Sequence, residues 1–124
     1  MSLKTQDLFD VSNKVVVVTG GSRGIGEMIT SGFLANKSKV YITARKEEAL
    51  IKKAEELSQK YSCECIPVSG DISNSEGIDA LVNFLNDAES EGIDFLINNA
   101  GAAWGANYDD FPESGWDKVI DLNL

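Results

Sequence analysis

The sequence predicts an α/β protein with a doubly wound parallel sheet, and three of its features carry that prediction. Short runs rich in β-branched residues alternate with stretches of helical periodicity along the 124 residues. The apolar runs are nearly continuous, as suits strands covered on both faces. A glycine-rich turn joins the first strand to the first helix. Alternation at these lengths calls for right-handed crossovers, and no internal repeat or low-complexity linker interrupts it. Residues 14–124 are therefore expected to be the N-terminal portion of a single domain, preceded by an arm at residues 1–13.

Lys14 to Thr19, KVVVVT, supplies the first strand. After the turn, Ile25, Ile29, Phe33 and Leu34 recur at helical spacing; the helix is expected to end near Asn36, before a second strand at Val40 to Thr43. Lys46 to Lys60 is an amphipathic helix, with Leu50, Ala54 and Leu57 on its apolar face and Glu and Lys on the solvated one. Cys63 to Val68 is the third strand. Asn74 to Glu89 is the third helix, with Ile78, Leu81, Val82 and Leu85 inward, and Phe95 to Asn98 is the fourth strand. The last helix begins at Phe111-Pro112, where proline suits the first turn, and runs through Trp116, Val119 and Ile120 toward Asn123. The fourth strand, FLIN, is strongly apolar, yet no strand follows the last helix to cover its outer side. The expectation is a Rossmann-type fold, incomplete at its C-terminal end.

Composition narrows the function classes. Apolar content of 43% and charged content of 25% fit a soluble globular domain. Met1 to Asp10 lacks a basic start followed by an apolar run, and no stretch approaches the roughly 18 apolar residues of a membrane span. A soluble, cytoplasmic protein without a membrane partner is expected. The formal net charge of −9 argues against a general nucleic-acid surface, so any phosphate site must be local. Cys63 and Cys65 alternate along a strand, which places both Cβ atoms on one face and suits a mutual disulfide poorly. With no histidine and no second cysteine pair, no metal site is expected.

The turn between the first strand and helix reads Thr19-Gly20-Gly21-Ser22-Arg23-Gly24-Ile25-Gly26. At such a place the backbone must approach a pyrophosphate and expose amide donors at a helix N-terminus. Gly20 relieves the turn, Gly24 lets phosphate approach, and Gly26 lets helix and strand pack without a Cβ between them. The spacing is Gly-x-x-x-Gly-x-Gly, a variant of the dinucleotide fingerprint.

Three ordered motifs, TGGSRGIG at 19–26, GDI at 70–72 and NNAG at 98–101, resemble the short-chain dehydrogenase/reductase family. The resemblance covers the chain after its arm. It implies that Gly20, Ser22, Arg23, Gly24, Ile25 and Gly26 hold the cofactor, that Asp71 and Ile72 contact its adenine side, and that Asn99, Ala100 and Gly101 flank a ribose. Asp71 also suits a helix cap, a role open to Ser73 as well. Family members commonly form dimers or tetramers, so a homo-oligomer is implied. The segment NNAGAAWGANYDDFPESGW is more similar to a bacterial subgroup of 3-oxoacyl-thioester reductases linked to rhamnolipid synthesis than to a generic family member. In that loop Ala103, Trp104 and Tyr108 either line a substrate mouth or pack the loop onto the next helix.

Cofactor choice follows from the end of the second strand. An Asp or Glu there normally binds both ribose hydroxyls of NAD, but here the position is Ala44. Without that carboxylate nothing repels a 2′-phosphate, and Arg45 and Arg23 offer guanidinium donors suited to phosphate oxygens. NADP(H) is the expected cofactor, and a small carbonyl or alcohol the expected substrate.

The family resembled here donates its proton from a Tyr followed four residues later by Lys, a spacing that puts both on one helical face. Tyr41, Tyr61 and Tyr108 are followed at that interval by Arg45, Cys65 and Pro112, so the 124 residues alone are expected to be inactive. One catalytic position carries over by resemblance: WDKVIDLNL matches the segment whose Asn helps organise a proton relay, and that residue is Asn123. Its amide is alternatively a partner for nearby main chain. The leading expectation is an NADP(H)-dependent oxidoreductase of carbonyl/alcohol pairs; the other function class is a non-catalytic nucleotide-binding regulatory or scaffold fragment.

Overall fold

A computed structural model describes residues 1–124. Four parallel strands, β1 (Val15–Thr19), β2 (Lys39–Ala44), β3 (Cys65–Ser69) and β4 (Phe95–Ile97), lie in the order β3-β2-β1-β4. Around them run α1 (Thr5–Leu8, within the arm), α2 (Gly24–Ala35), α3 (Glu47–Tyr61), α4 (Ser75–Ala88), a 3₁₀ turn at Tyr108–Asp110, and α5 (Glu113–Asn123). Val17 stands opposite both Tyr41 and Leu96, so the centre of β1 is sheet on both sides. Both of its faces are also covered, Val16, Val17 and Val18 being fully buried, which explains its unbroken valine run.

Alternate residues of the strands serve two layers. Val16, Val18, Val40, Ile42 and Cys65 form one cluster with Leu34 of α2 and Leu50, Ala54 and Leu57 of α3. Val17 and Tyr41 are buried toward the opposite layer, where the Phe84 ring of α4 meets Tyr41 edge-on at 6.2 Å. Helices on both sheet faces make the fold doubly wound, as expected. The Asp94 carboxylate accepts the Val15 amide at 2.8 Å while its own amide bonds the Val15 carbonyl, which sets the register of β4 on β1.

Several sequence-based expectations change in three dimensions. Ile25 is 70% exposed, and the inward stripe of α2 is Gly26, Thr30 and Leu34. The first turn of the helix lies so close to the glycine turn that position 26 has room only for glycine, while Ile29 and Phe33 pack against the core partly buried. In α4 no residue is buried: Ile78 and Val82, expected inward, are each 46% exposed, and Leu96 of β4 is exposed on the same layer. The reason is that β4 is three residues long and no further element packs beside it. The third strand begins at Cys65, because Ser62 takes a left-handed conformation (φ 49°) and the Cys63 amide bonds back to Ser58 to close α3. Both thiols nonetheless meet one core, and burial pushes the Cys65 thiol up to about 12.

At the amino ends of the strands the Glu89 carboxylate accepts from the Tyr41 hydroxyl and from Lys39 Nζ, both at 2.6 Å. The Lys39 ammonium, then the Tyr41 hydroxyl, holds the Glu89 carboxyl below its ordinary value of 4.5, and Glu89 raises Lys39 above 10.5. A lowered acid stabilises the fold fully above its ordinary value and loses that contribution as pH falls through the folded value. A raised base contributes fully below its ordinary value and loses the effect as pH rises through the folded one. Glu89→Ala is expected to cost about 1–3 kcal/mol near neutrality, chiefly because it removes the charge-assisted bonds that the ionised carboxylate makes to Lys39 and Tyr41. Urea unfolding should show the deficit shrinking toward pH 3; a deficit constant with pH would refute the assignment.

Candidate functional site

The carboxyl end of β1 turns through Gly20 (φ +65°) into α2. Arg23, the N-cap residue, makes no side-chain cap, and the amides of Gly24, Ile25 and Gly26 bond no protein acceptor; Glu27 N is the first to do so, to Arg23 O at 3.2 Å. Unspent amides at the positive end of a twelve-residue helix form an anion cradle. Gly24 lies at φ +56° with nothing within 4 Å of the place a Cβ would occupy, so a ligand can approach the backbone directly. Gly26 has the opposite duty. A methyl group there would overlap the Gly20 carbonyl and crowd the Asn99 amide.

The end of β4 supports this loop from the other side. Thr19 Oγ1 accepts from the amides of Asn99 (3.1 Å) and Ala100 (3.0 Å) and donates to Ile97 O (3.4 Å). Asn99 Nδ2 donates to the carbonyls of Thr19 (3.1 Å) and Gly20 (3.2 Å). Asn99 and Ala100 thus abut the glycine loop, and the Asn99 side chain is spent on holding it. Thr19 went unassigned in the sequence although one signal marks it: a hydroxyl closing an all-valine strand immediately before glycine.

Beyond β3, Asp71 Oδ1 accepts from the Ser73 hydroxyl at 2.6 Å and the Ser73 amide at 3.0 Å. The cap of α4 is neither of these residues but Asn74, whose Oδ1 accepts the Gly77 amide at 2.8 Å. The Ser73 hydroxyl, then its amide, then the charge of Arg45, hold the Asp71 carboxyl below its usual range. At the end of β2, Gly70 N bonds Ala44 O at 3.1 Å, which brings the next residues of the two strands, Arg45 and Asp71, close together. Ser22 and Ile72 are half-buried, and Arg23 and Arg45 are exposed with no carboxylate in ion-pair distance.

The loop after β4 is tied to α5. Asn123 Oδ1 accepts from Ala102 N at 3.1 Å and its Nδ2 donates to Ala102 O at 2.9 Å, a two-point clasp on main chain next to Gly101. This is the main-chain partnership that the sequence left open for Asn123. Trp104 lies over Gly115, where any Cβ would meet its ring at 2.7 Å, and Lys118 Nζ sits 5.3 Å from the ring centroid. Trp104 thus packs the loop onto α5 and also walls an apolar cleft of about 350 Å³ with Phe111, Trp116 and Ile120. Tyr108, by contrast, is 97% exposed.

A glycine loop opening onto free helix amides, at the carboxyl ends of a parallel sheet ordered β3-β2-β1-β4, defines a Rossmann-type α/β domain. Within that class, the chain belongs to the short-chain dehydrogenase family, whose model matches residues 14–124. It is 41% identical over 116 residues to the rhamnolipids biosynthesis 3-oxoacyl-[acyl-carrier-protein] reductase of Pseudomonas aeruginosa, covering 94% of this chain and 44% of the relative. It is 40% identical over 100 residues to the short-chain dehydrogenase/reductase PhomF of Diaporthe leptostromiformis, covering 81% and 33%. Among solved structures, the Pseudomonas aeruginosa RhlG/NADP active-site complex superposes with a TM-score of 0.87 at 40% identity, over 94% of this chain and 44% of that one. L-Sorbose reductase from Gluconobacter frateurii, complexed with NADPH and L-sorbose, gives 0.85 at 31% identity, over 92% and 44%. The chain spans less than half the length of these relatives. No helix is long and apolar enough to cross a membrane.

Proposed function

We propose that this chain is the cofactor-binding portion of an NADP(H)-dependent oxidoreductase acting on a carbonyl/alcohol pair, with a 3-oxoacyl thioester as the substrate class. The observation that carries the reading is the row of uncommitted amides at Gly24, Ile25 and Gly26, with Gly24 bare toward solvent. When bound, the cofactor supplies the hydride. Gly20 to Gly26, with Ser22 among them, cradle its diphosphate. Asp71 and Ile72 border the adenine, and Asn99, Ala100 and Gly101 line the ribose side, Asn99 by holding the loop rather than by offering its own amide.

Preference for NADP(H) is supported by Ala44, which sets no negative charge against a 2′-phosphate, and by the unpaired Arg23 and Arg45. It agrees with the NADP and NADPH held by the two structural neighbours. The thioester substrate is supported by similarity to the Pseudomonas reductase. The proton donor lies outside residues 1–124, so these residues alone are inactive in this reading. The complete protein is a cytoplasmic homo-oligomer with no nucleic-acid or membrane partner.

Calorimetric titration of the full-length protein should show NADPH binding far tighter than NADH, with NADPH oxidation in the presence of 3-oxoacyl thioesters. Folded protein that ignores both nucleotides would end the proposal. Asn123 acts in this scheme by fixing Ala102, and with it Gly101, beside the reacting groups. Asn123→Ala is therefore expected to lower turnover about ten- to a hundredfold while leaving the Kd for NADPH within a few-fold. Steady-state kinetics beside the same titration checks this, and normal turnover would remove Asn123 from the mechanism.

A further inference from the structure

The glycine loop has a brace on its inner side, supplied by α2. Thr30 is fully buried, and its hydroxyl lies 2.8 Å from the Gly26 carbonyl and 3.3 Å from the Gly21 carbonyl. The first contact is the ordinary back-bond of a helical threonine to the residue four before it. The second crosses from the helix to the crest of the loop. Gly21 is itself buried, and its carbonyl receives no main-chain amide, so the Thr30 hydroxyl is the hydrogen-bonding group the protein offers it. The crest is also tightly held: a Cβ at Gly21 would stand 2.5 Å from Ile42 Cγ2 and 2.9 Å from Thr30 Oγ1.

We propose that Thr30 is a positioning residue for the cofactor diphosphate. Its single hydroxyl proton, shared between the Gly21 and Gly26 carbonyls, locks the crest of the loop to the first turn of α2. The amides from Ser22 to Gly26 then converge before a ligand arrives. Valine at this position would continue the helix and fill the same space, and alanine would continue it with less bulk, but neither can bridge two carbonyls. A loop ordered in advance spares the ligand the cost of ordering it, so loss of the brace registers in affinity. The diphosphate is common to both nicotinamide nucleotides, so the loss falls equally on NADPH and NADH. In this it differs from the arginines, which face only the 2′-phosphate. The inference rests on the reading of this loop as the nicotinamide-nucleotide site.

The test compares wild-type, Thr30→Val, Thr30→Ala and Thr30→Ser forms of the full-length enzyme by nucleotide titration, steady-state kinetics and thermal melting. Valine and alanine should raise the Kd and KM of both nucleotides by about three- to tenfold, in equal proportion, with kcat at saturation little changed. Serine, which keeps the hydroxyl, should restore wild-type affinity. Alanine, which adds no methyl, covers the case in which the valine variant does not fold. A lower Tm with unchanged KM would overturn the proposal, leaving Thr30 a core filler. Wild-type binding alongside wild-type affinity in the valine and alanine variants would sink the role of Thr30 alone; absence of binding by the wild type would remove the site itself.

Discussion

Gly26→Val is expected to abolish measurable NADPH binding by the full-length protein, weakening it at least about a hundredfold, and to cost about 1–3 kcal/mol of stability. The first Cβ already overlaps the Gly20 carbonyl oxygen and stands 2.5 Å from Asn99 Nδ2. Asn99 is the group whose amide holds the carbonyls of Thr19 and Gly20, so the clash reaches beyond one residue. The loop can relieve it only by moving off the helix, and the amides at Gly24 to Gly26 then no longer share a focus. Titration calorimetry and a thermal melt on the same preparation measure the two effects separately. A folded variant that still binds NADPH within a few-fold of wild type would contradict the role given to this packing.

The second large effect is one of selectivity. Replacing Arg23 and Arg45 together by alanine should weaken NADPH by at least about a hundredfold while changing NADH by no more than a few-fold, each guanidinium contributing about 1.5–3 kcal/mol to a phosphate through charge-assisted bonds. Both side chains are exposed and neither is committed to an ion pair, so they are available to a ligand. Asp71 stands near Arg45 but makes no ion pair with it, its Oδ1 accepting two hydrogen bonds from Ser73. Ala44→Asp should push selectivity in the same direction by setting a carboxylate against the 2′-phosphate and toward the ribose hydroxyls. Equal losses for the two nucleotides in the arginine variant would show that the guanidiniums do not discriminate between them.

Much of the layout is legible in the sequence. Valine runs, glycine spacing and the Leu50, Ala54, Leu57 stripe are local signals, and each identified its element, because β-branched crowding, positive φ and helical period act within a few residues. Boundaries moved where a neighbouring turn intervened, as at Ser62 before β3. Ile78 and Val82 of α4 lie exposed where periodicity predicts them inward, because an apolar stripe marks a face without saying whether anything covers it, whereas the uncovered edge at Leu96 was legible in the sequence.

The same division runs through the site. Residue type and spacing alone determined the parallel α/β class, the glycine turn, the missing acid at Ala44 and the absence of a Tyr-x-x-x-Lys pair. The tertiary structure decided that Asn99 spends its amide on the loop, that Asn74 rather than Asp71 caps α4, that Trp104 settles on Gly115, and that Thr19 and Thr30 brace the turn from opposite sides. A hydrogen bond between residues as distant as Thr19 and Asn99 depends on where two strands end relative to each other, and that register arises only when the sheet assembles.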